Sequence, residues 1–294
     1  MQLKITDKKN LGVLAVLGAS IMWAIEPIFA KLSYQTTDFL NTFATRTIFC
    51  LAIISIYVFF TNKKKFIVKR EYLPKLIYVS LVATLFADLM YIYALIKVPV
   101  INAVLIGHMQ PIFIILIGFF VLKQDKITKF DYYGILFMIL AGVLVVTKTL
   151  ENLLMLKFGT IGDLYVLFAT IAWATTAIVA RKYLKELHAG LIAFYRFLFA
   201  GIIFIIYMIA FKGIEITSIY QVLIGIVIGI GTILYYEGIR LIKAAQVSAL
   251  ELSTPFFAAI LGYSILGEYI TLVQFIGILF LIKGIYFLSK KENL

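Results

Sequence analysis

Charge is scarce in this chain: 14% of its 294 residues are Asp, Glu, Lys or Arg, against 63% hydrophobic. A soluble domain of that length needs a polar skin, and this sequence could not cover its own surface. Cysteine is sparser still. Cys50 stands alone in an apolar run, which excludes an intramolecular disulfide and a redox pair. Only two histidines occur and no HExxH stretch, so zinc-hydrolase spacing is missing. There is no GxxxxGK[ST] loop and no polar region long enough to house a nucleotide-binding domain, which argues against a primary pump. Alternating segments of about ten residues, the mark of membrane strands, are absent too.

What remains is a succession of apolar runs of about 20 residues, the length that crosses a hydrocarbon layer as a helix. Membrane helices are expected at 11–32, 38–60, 73–95, 99–122, 130–148, 161–183, 188–211, 219–241, 245–266 and 271–289. The first is read as a retained helix, because its apolar stretch runs on to Lys31 without a small-residue cleavage site. The net charge of +12 does not indicate nucleic acid, since the cations sit at the ends of the apolar runs. Of the 27 Lys and Arg residues, 20 fall on the side of the N-terminus and five on the other, with Arg46 and Arg196 inside helices. The positive-inside rule then places both termini in the cytoplasm of a plasma-membrane protein whose surroundings are the lipid bilayer.

The chain also repeats itself. Shifting it by 150 residues aligns 12–31 with 162–181 at ten identical positions of 20, including Gly12/Gly162, Trp23/Trp173 and Ala30/Ala180. Arg46 pairs with Arg196 at the same shift, whereas Tyr91/Tyr235 and Pro111/Pro255 pair at a shift of 144. Apolar bias alone would not register Trp, Arg, Pro and Gly in one order. Residues 1–150 and 151–294 are therefore expected to be two five-helix units, and an odd helix number inverts the second relative to the first.

Two five-helix halves, a Trp in the first helix of each and a Pro in the fourth of each resemble the drug/metabolite transporter superfamily, EamA-like branch. The stretch "SALELSTPFFAAILGYSILGEYITLVQFIGILFLIKG" at 248–284 carries most of that resemblance. Its first-half counterpart keeps Pro111 and Gly134 but has "KQDK" where the second half has Gly267-Glu268, with Asp125 as a stand-in acid. The resemblance implies an all-α bundle of ten transmembrane helices around a central cavity, and transport of small metabolites without a cofactor.

Ionisable groups inside a membrane are costly and often mark a pathway. At a rise of about 1.5 Å per residue, Glu26, Arg46, Asp88 and His108 come out roughly 4–7 Å outward of the midplane, Arg196 and Glu251 roughly 5–7 Å inward. Glu26 is a candidate proton carrier or amine ligand, or else a structural partner of Arg46. Asp88 and His108 could extend a proton relay, or His108 could be a hydrogen-bonded packing residue. Glu251 lies four residues before Pro255, where a loosened helix exposes backbone carbonyls. Arg46 and Arg196 either anchor an anionic group or lock the halves together. Trp23, Trp173, Tyr91 and Gln110 are candidate cavity walls, and Pro27, Pro111 and Pro255 candidate kinks. Glu237 and Arg240 are expected to pair near the cytoplasmic end, and Glu268 to serve a turn.

The expected function is secondary transport, most simply export, of amino acids or related amines by a monomer or homodimer, with protons as coupling ion. A passive or exchange carrier for sugar-phosphate or nucleotide-sugar anions is the alternative. An intramembrane enzyme on lipid-linked substrates is more distant, because the acids are dispersed and no metal site is expected.

Overall fold

The computed structural model describes residues 5–62, 66–120, 128–242 and 244–289. The first half holds α1 Ile5–Ser33, α2 Phe39–Thr61, α3 Leu73–Val79, α4 Leu89–Ala94, α5 Val100–Gly107, α6 Gln110–Phe120 and α7 Lys129–Thr147. Then come α8 Leu150–Leu154, α9 Ile161–Tyr183, α10 Ala189–Phe211, α11 Ile219–Leu241, α12 Ala244–Glu251, α13 Ser253–Leu266 and α14 Leu272–Ser289. A 3-10 turn at Arg70–Tyr72 leads into α3, and a π-helical segment, Ser80–Asp88, joins α3 to α4. Among the described residues eight helical spans are long and apolar enough to cross a membrane, and two apolar helices, Ser253–Leu266 and Leu272–Leu288, are shorter.

Two of the expected spans are not continuous. The one at 99–122 breaks at His108–Met109, and the one at 245–266 breaks at Leu252. The cause is proline: Pro111 and Pro255 lack the N–H that would bond the carbonyl four residues earlier. Those carbonyls belong to Gly107 and Glu251, the residues at which α5 and α12 end. By contrast α1 runs on through Pro27 without a break. The short α8 was not expected; Thr149 caps it by accepting from the Asn152 N–H.

Helix contacts come in pairs that exchange one half for the other. As α1 packs on α11, so α9 packs on the helix made of α3, the π segment and α4. Likewise α1 meets α13 as α9 meets α6, while α2 with α10 and α7 with α14 pack directly on each other. The exchange holds at single residues: Gly12 faces Leu241 and Ile242, and Gly162 faces Lys97 and Val98. Between α7 and α14 the backbones approach so closely that a Cβ on Gly284 would lie 2.4 Å from Met138 Cγ and 3.0 Å from the Gly134 carbonyl. Small residues at helix crossings supply the packing that lipid tails cannot oppose.

The reversals at 34–38, 95–99, 148–160, 212–218 and 267–271 gather at one end of the bundle. There Glu268 accepts from Lys31 Nζ at 2.8 Å and from the Val100 N–H at 2.7 Å, tying α1, α5 and the turn after α13. Asn102 donates to Asp163 at 3.0 Å and accepts from Gln274 at 2.7 Å, and Lys212 pairs with Asp38 at 2.8 Å. Thr271 also donates to the Lys148 carbonyl. We call this the Glu268 end.

Gly284→Leu should therefore push α7 and α14 apart, lowering the thermal midpoint of the detergent-solubilised protein by an amount worth about 1–3 kcal/mol. Gly107→Ala, whose added Cβ would meet Trp173 at an ordinary 3.8 Å, should leave the midpoint nearly unchanged.

Candidate functional site

The repeat-related arginines, Arg46 on α2 and Arg196 on α10, point to one carboxylate. Arg46 Nε donates to Glu26 Oε1 at 2.7 Å, and its Nη2 reaches Asp88 Oδ2 at 3.3 Å. Arg196 Nη2 donates to Asp88 Oδ1 at 3.0 Å. Trp173 Nε1 donates to the same oxygen at 2.8 Å. Asp88 closes the π segment, where the wider turn shifts side-chain register relative to an α-helix. Arg46 lies between the fully buried rings of Phe43 and Phe197, 5.8 and 5.7 Å from their centroids. Depth along the helices had placed Arg196 and Asp88 on opposite sides of the midplane; the long guanidinium stem closes that gap.

Two acids and two arginines thus form one buried network with no net charge. Charge-assisted bonds of this kind repay part of the large cost of taking ions out of water, provided each group is satisfied. Arg196 Nε is the exception, a buried donor with no partner among the described residues.

The network forms the floor of a cavity of about 210 Å³. Every residue expected on the pathway lines it: Trp23, Glu26, Arg46, Asp88, Tyr91, His108, Gln110, Trp173, Arg196 and Glu251. Pro111 lines it as well, whereas Pro27 and Pro255 do not. Sequence reasoning left out Thr232, Tyr236, Thr254 and Arg181, and used Tyr235 only as a repeat marker. The shift of 144 that pairs Tyr91 with Tyr235 also pairs Asp88 with Thr232, and so could have found two of them. Its walls run on to Ile114, Arg181 and Ile239, away from the Glu268 end.

His108 does not join a relay with Asp88. Its Nδ1 bonds the Val104 carbonyl at 2.7 Å, one turn back on its own helix. The Asp88 oxygens are taken by Arg46, Arg196 and Trp173. The Glu251 carboxylate, by contrast, has neither a hydrogen-bond donor nor a cation in ion-pair range among the described residues. Glu237 pairs with Arg240 at 3.0 Å and accepts from the Tyr57 hydroxyl at 2.7 Å, away from the cavity. Asp125 lies outside the described residues. Among those described, no group of three or more His, Cys, Asp or Glu could hold a metal ion.

Comparison with known proteins fits this arrangement. The model of the EamA-like transporter family matches residues 10–147 and again 160–290. The chain belongs to the EamA-like transporter family. It is a multi-pass membrane protein of the drug/metabolite transporter type. An uncharacterized transporter of Methanothermobacter thermautotrophicus is 26% identical over 227 residues, 75% of this chain and 66% of that protein. One from a Synechocystis species is 26% identical over 206 residues, 65% of this chain and 58% of that protein. Protein LicB of Haemophilus influenzae is 24% identical over 187 residues, 61% of this chain and 63% of that protein. These matches thus span between 58% and 66% of the relatives' own lengths. A crystal structure with 16% sequence identity superposes at a TM-score of 0.66, covering 94% of this chain and 96% of that one, and shows the same fold.

Removing the charge of Asp88 leaves Arg196 without an acid, so Asp88→Asn should destabilise the solubilised EamA-like protein by about 3–5 kcal/mol. Glu26→Gln should cost less, because Arg46 keeps Asp88. Replacing both partners, as Asp88→Leu with Arg196→Met, should recover part of the loss; unfolding midpoints of the three variants against the unmodified protein measure the ordering.

Proposed function

We propose that this protein is a secondary active transporter of small polar metabolites carrying an amino group, amino acids or related amines, working by alternating access. The observation that carries the reading is a cavity built on a central charge network and closed at one end only. Bonds from Glu268, Asn102, Asp38 and Thr271 tie helices of both halves at one end, while the cavity walls lead toward Arg181 and Ile239. The positive-inside count puts the Arg181 end in the cytoplasm of the plasma-membrane protein, which makes this an inward-facing state.

The exchange-related contacts support a ten-helix bundle of two inverted repeats, 1–150 and 151–294, with α5–α6 and α12–α13 as broken spans. Two such halves can trade inward and outward shapes. The double match to one family model fits the same division.

Substrate charge follows from the central balance. Glu26 and Asp88 already compensate Arg46 and Arg196, which leaves no free cation at the floor for a sugar phosphate. The unoccupied acid is Glu251, and it is the group we assign to proton exchange in place of Glu26. An inward proton gradient coupled to solute exchange at Glu251 would drive export.

Purified protein in liposomes should show saturable counterflow of an amino acid or amine, stimulated by an opposing pH gradient. Sugar phosphates carried in preference, or flux that never saturates, would refute it. Access supplies a second test, with a cysteine at Ala177 in a Cys50→Ser background. A membrane-impermeant maleimide should label it in inside-out vesicles several-fold faster than in right-side-out ones, and adding Glu268→Gln should narrow that ratio.

A further inference from the structure

The cavity has two aromatic corners related by the exchange of halves, and they differ in one respect that matters for a ligand. In one, Trp173 and Tyr91 lie 5.4 Å apart between ring centroids at an interplanar angle of 54°. In the other, Trp23 and Tyr235 lie 4.8 Å apart at 53°. The same side-chain pair with the same tilt has thus been placed twice.

Their surroundings are not the same. The Trp173 corner is occupied: its indole N–H is bound to Asp88, which two arginines also hold. At the Trp23 corner the residue equivalent to Asp88 is Thr232, which is neutral, and no group among the described residues accepts from the Trp23 indole. Conversely, Gly107 faces Trp173, its added Cβ 3.8 Å from Cζ3, and its equivalent in the other half is Glu251. One corner therefore has an acid already held in ion pairs; the other has an acid with no ion pair among the described residues.

Glu251 and Tyr235 line the same cavity, and Leu250, next to Glu251, packs in one cluster with Tyr235. Thr254, one turn further on, is 1% exposed and lines the same cavity, and its hydroxyl has no partner among the described residues. A buried hydroxyl without a partner is costly unless something else satisfies it, and the half-buried Glu251 carboxylate beside it has no hydrogen-bond partner among the described residues.

The geometry points to a binding subsite for an organic ammonium group, formed by the faces of Trp23 and Tyr235 and the carboxylate of Glu251. A cation over an indole or phenol face is attracted by the ring quadrupole, more strongly where water is excluded. The carboxylate supplies the opposite charge, and Thr254 an acceptor or donor for the polar end of the solute. Arg181, which lines the same cavity, is placed to receive a carboxylate if the solute is an amino acid. The shared chemistry is the ammonium; its source is an amine or a zwitterion. This deepens the transporter reading and rests on it for its use, though not for binding.

Both tryptophans of the chain, Trp23 and Trp173, line the cavity, so intrinsic emission reports on it directly. The full chain in lipid nanodiscs is titrated with tetramethylammonium, ethanolamine, glycine and inorganic phosphate. A saturable change with the amines, with glycine or with both is expected, and none with phosphate. Glu251→Gln and Tyr235→Leu should each raise half-saturation at least tenfold, while Tyr235→Phe, which keeps the ring, should raise it less than threefold. Glycine responding alone, with loss of that response in Arg181→Gln, assigns the zwitterion. A response to phosphate alone, or unchanged half-saturation in both Glu251→Gln and Tyr235→Leu, overturns the subsite. Flux in liposomes separates the two readings: binding without flux removes transport and leaves the subsite, whereas wild-type flux of amines by Glu251→Gln does the reverse.

Discussion

A carboxylate at the end of the π segment, Asp88, receives Arg46 from the first half and Arg196 from the second, and the cavity is built around those bonds. Four charges taken from water would be untenable singly; together they neutralise one another and join α1, α2, α10 and the π segment at a single point. Trp173 adds α9 to the same oxygen. The network gives the cavity a floor that is polar in its atoms yet neutral in its sum. A solute then meets aromatic walls and one unmatched acid rather than a field of competing charges.

Near-symmetry supplies the scaffold and its violations supply the chemistry. Arginines, tryptophans, tyrosines and helix-breaking prolines occur in both halves at matched positions, and their packing repeats accordingly. Glu26, Asp88 and Glu251 face Thr176, Thr232 and Gly107 as their equivalents, so each acid exists in one half only. Acids confined to one half give the cavity distinct corners even though its frame has two alike.

Much of this was legible in the chain. Helix limits at Ile161–Tyr183 and Ile219–Leu241 coincide with the expected ones, because apolar length and a polar capping residue at Thr160 and Ser218 mark them without tertiary help. The pathway residues were legible for a different reason: polar groups in apolar helices are conspicuous. Their pairing was not. Depth along separate helices gives no azimuth and ignores side-chain reach, so Arg196 stood apart from Asp88, and His108 stood near it without bonding it. Arg181 passed as a topology charge because nothing in a linear pattern distinguishes a cation at a membrane edge from one at a cavity mouth. The breaks at His108–Met109 and Leu252 were foreshadowed by proline, but Pro27, with the same covalent defect, sits in an unbroken helix.

The Glu268 carboxylate does more than join Lys31 to a turn, since it also takes the first N–H of α5. That helix has eight residues and ends at the break below it, so both of its ends are defined by contacts outside itself. Parting the Glu268 end would release α5 from its cap as well as from α1. One carboxylate of the second half thus holds both the folded start of a two-turn rod and its place beside α1.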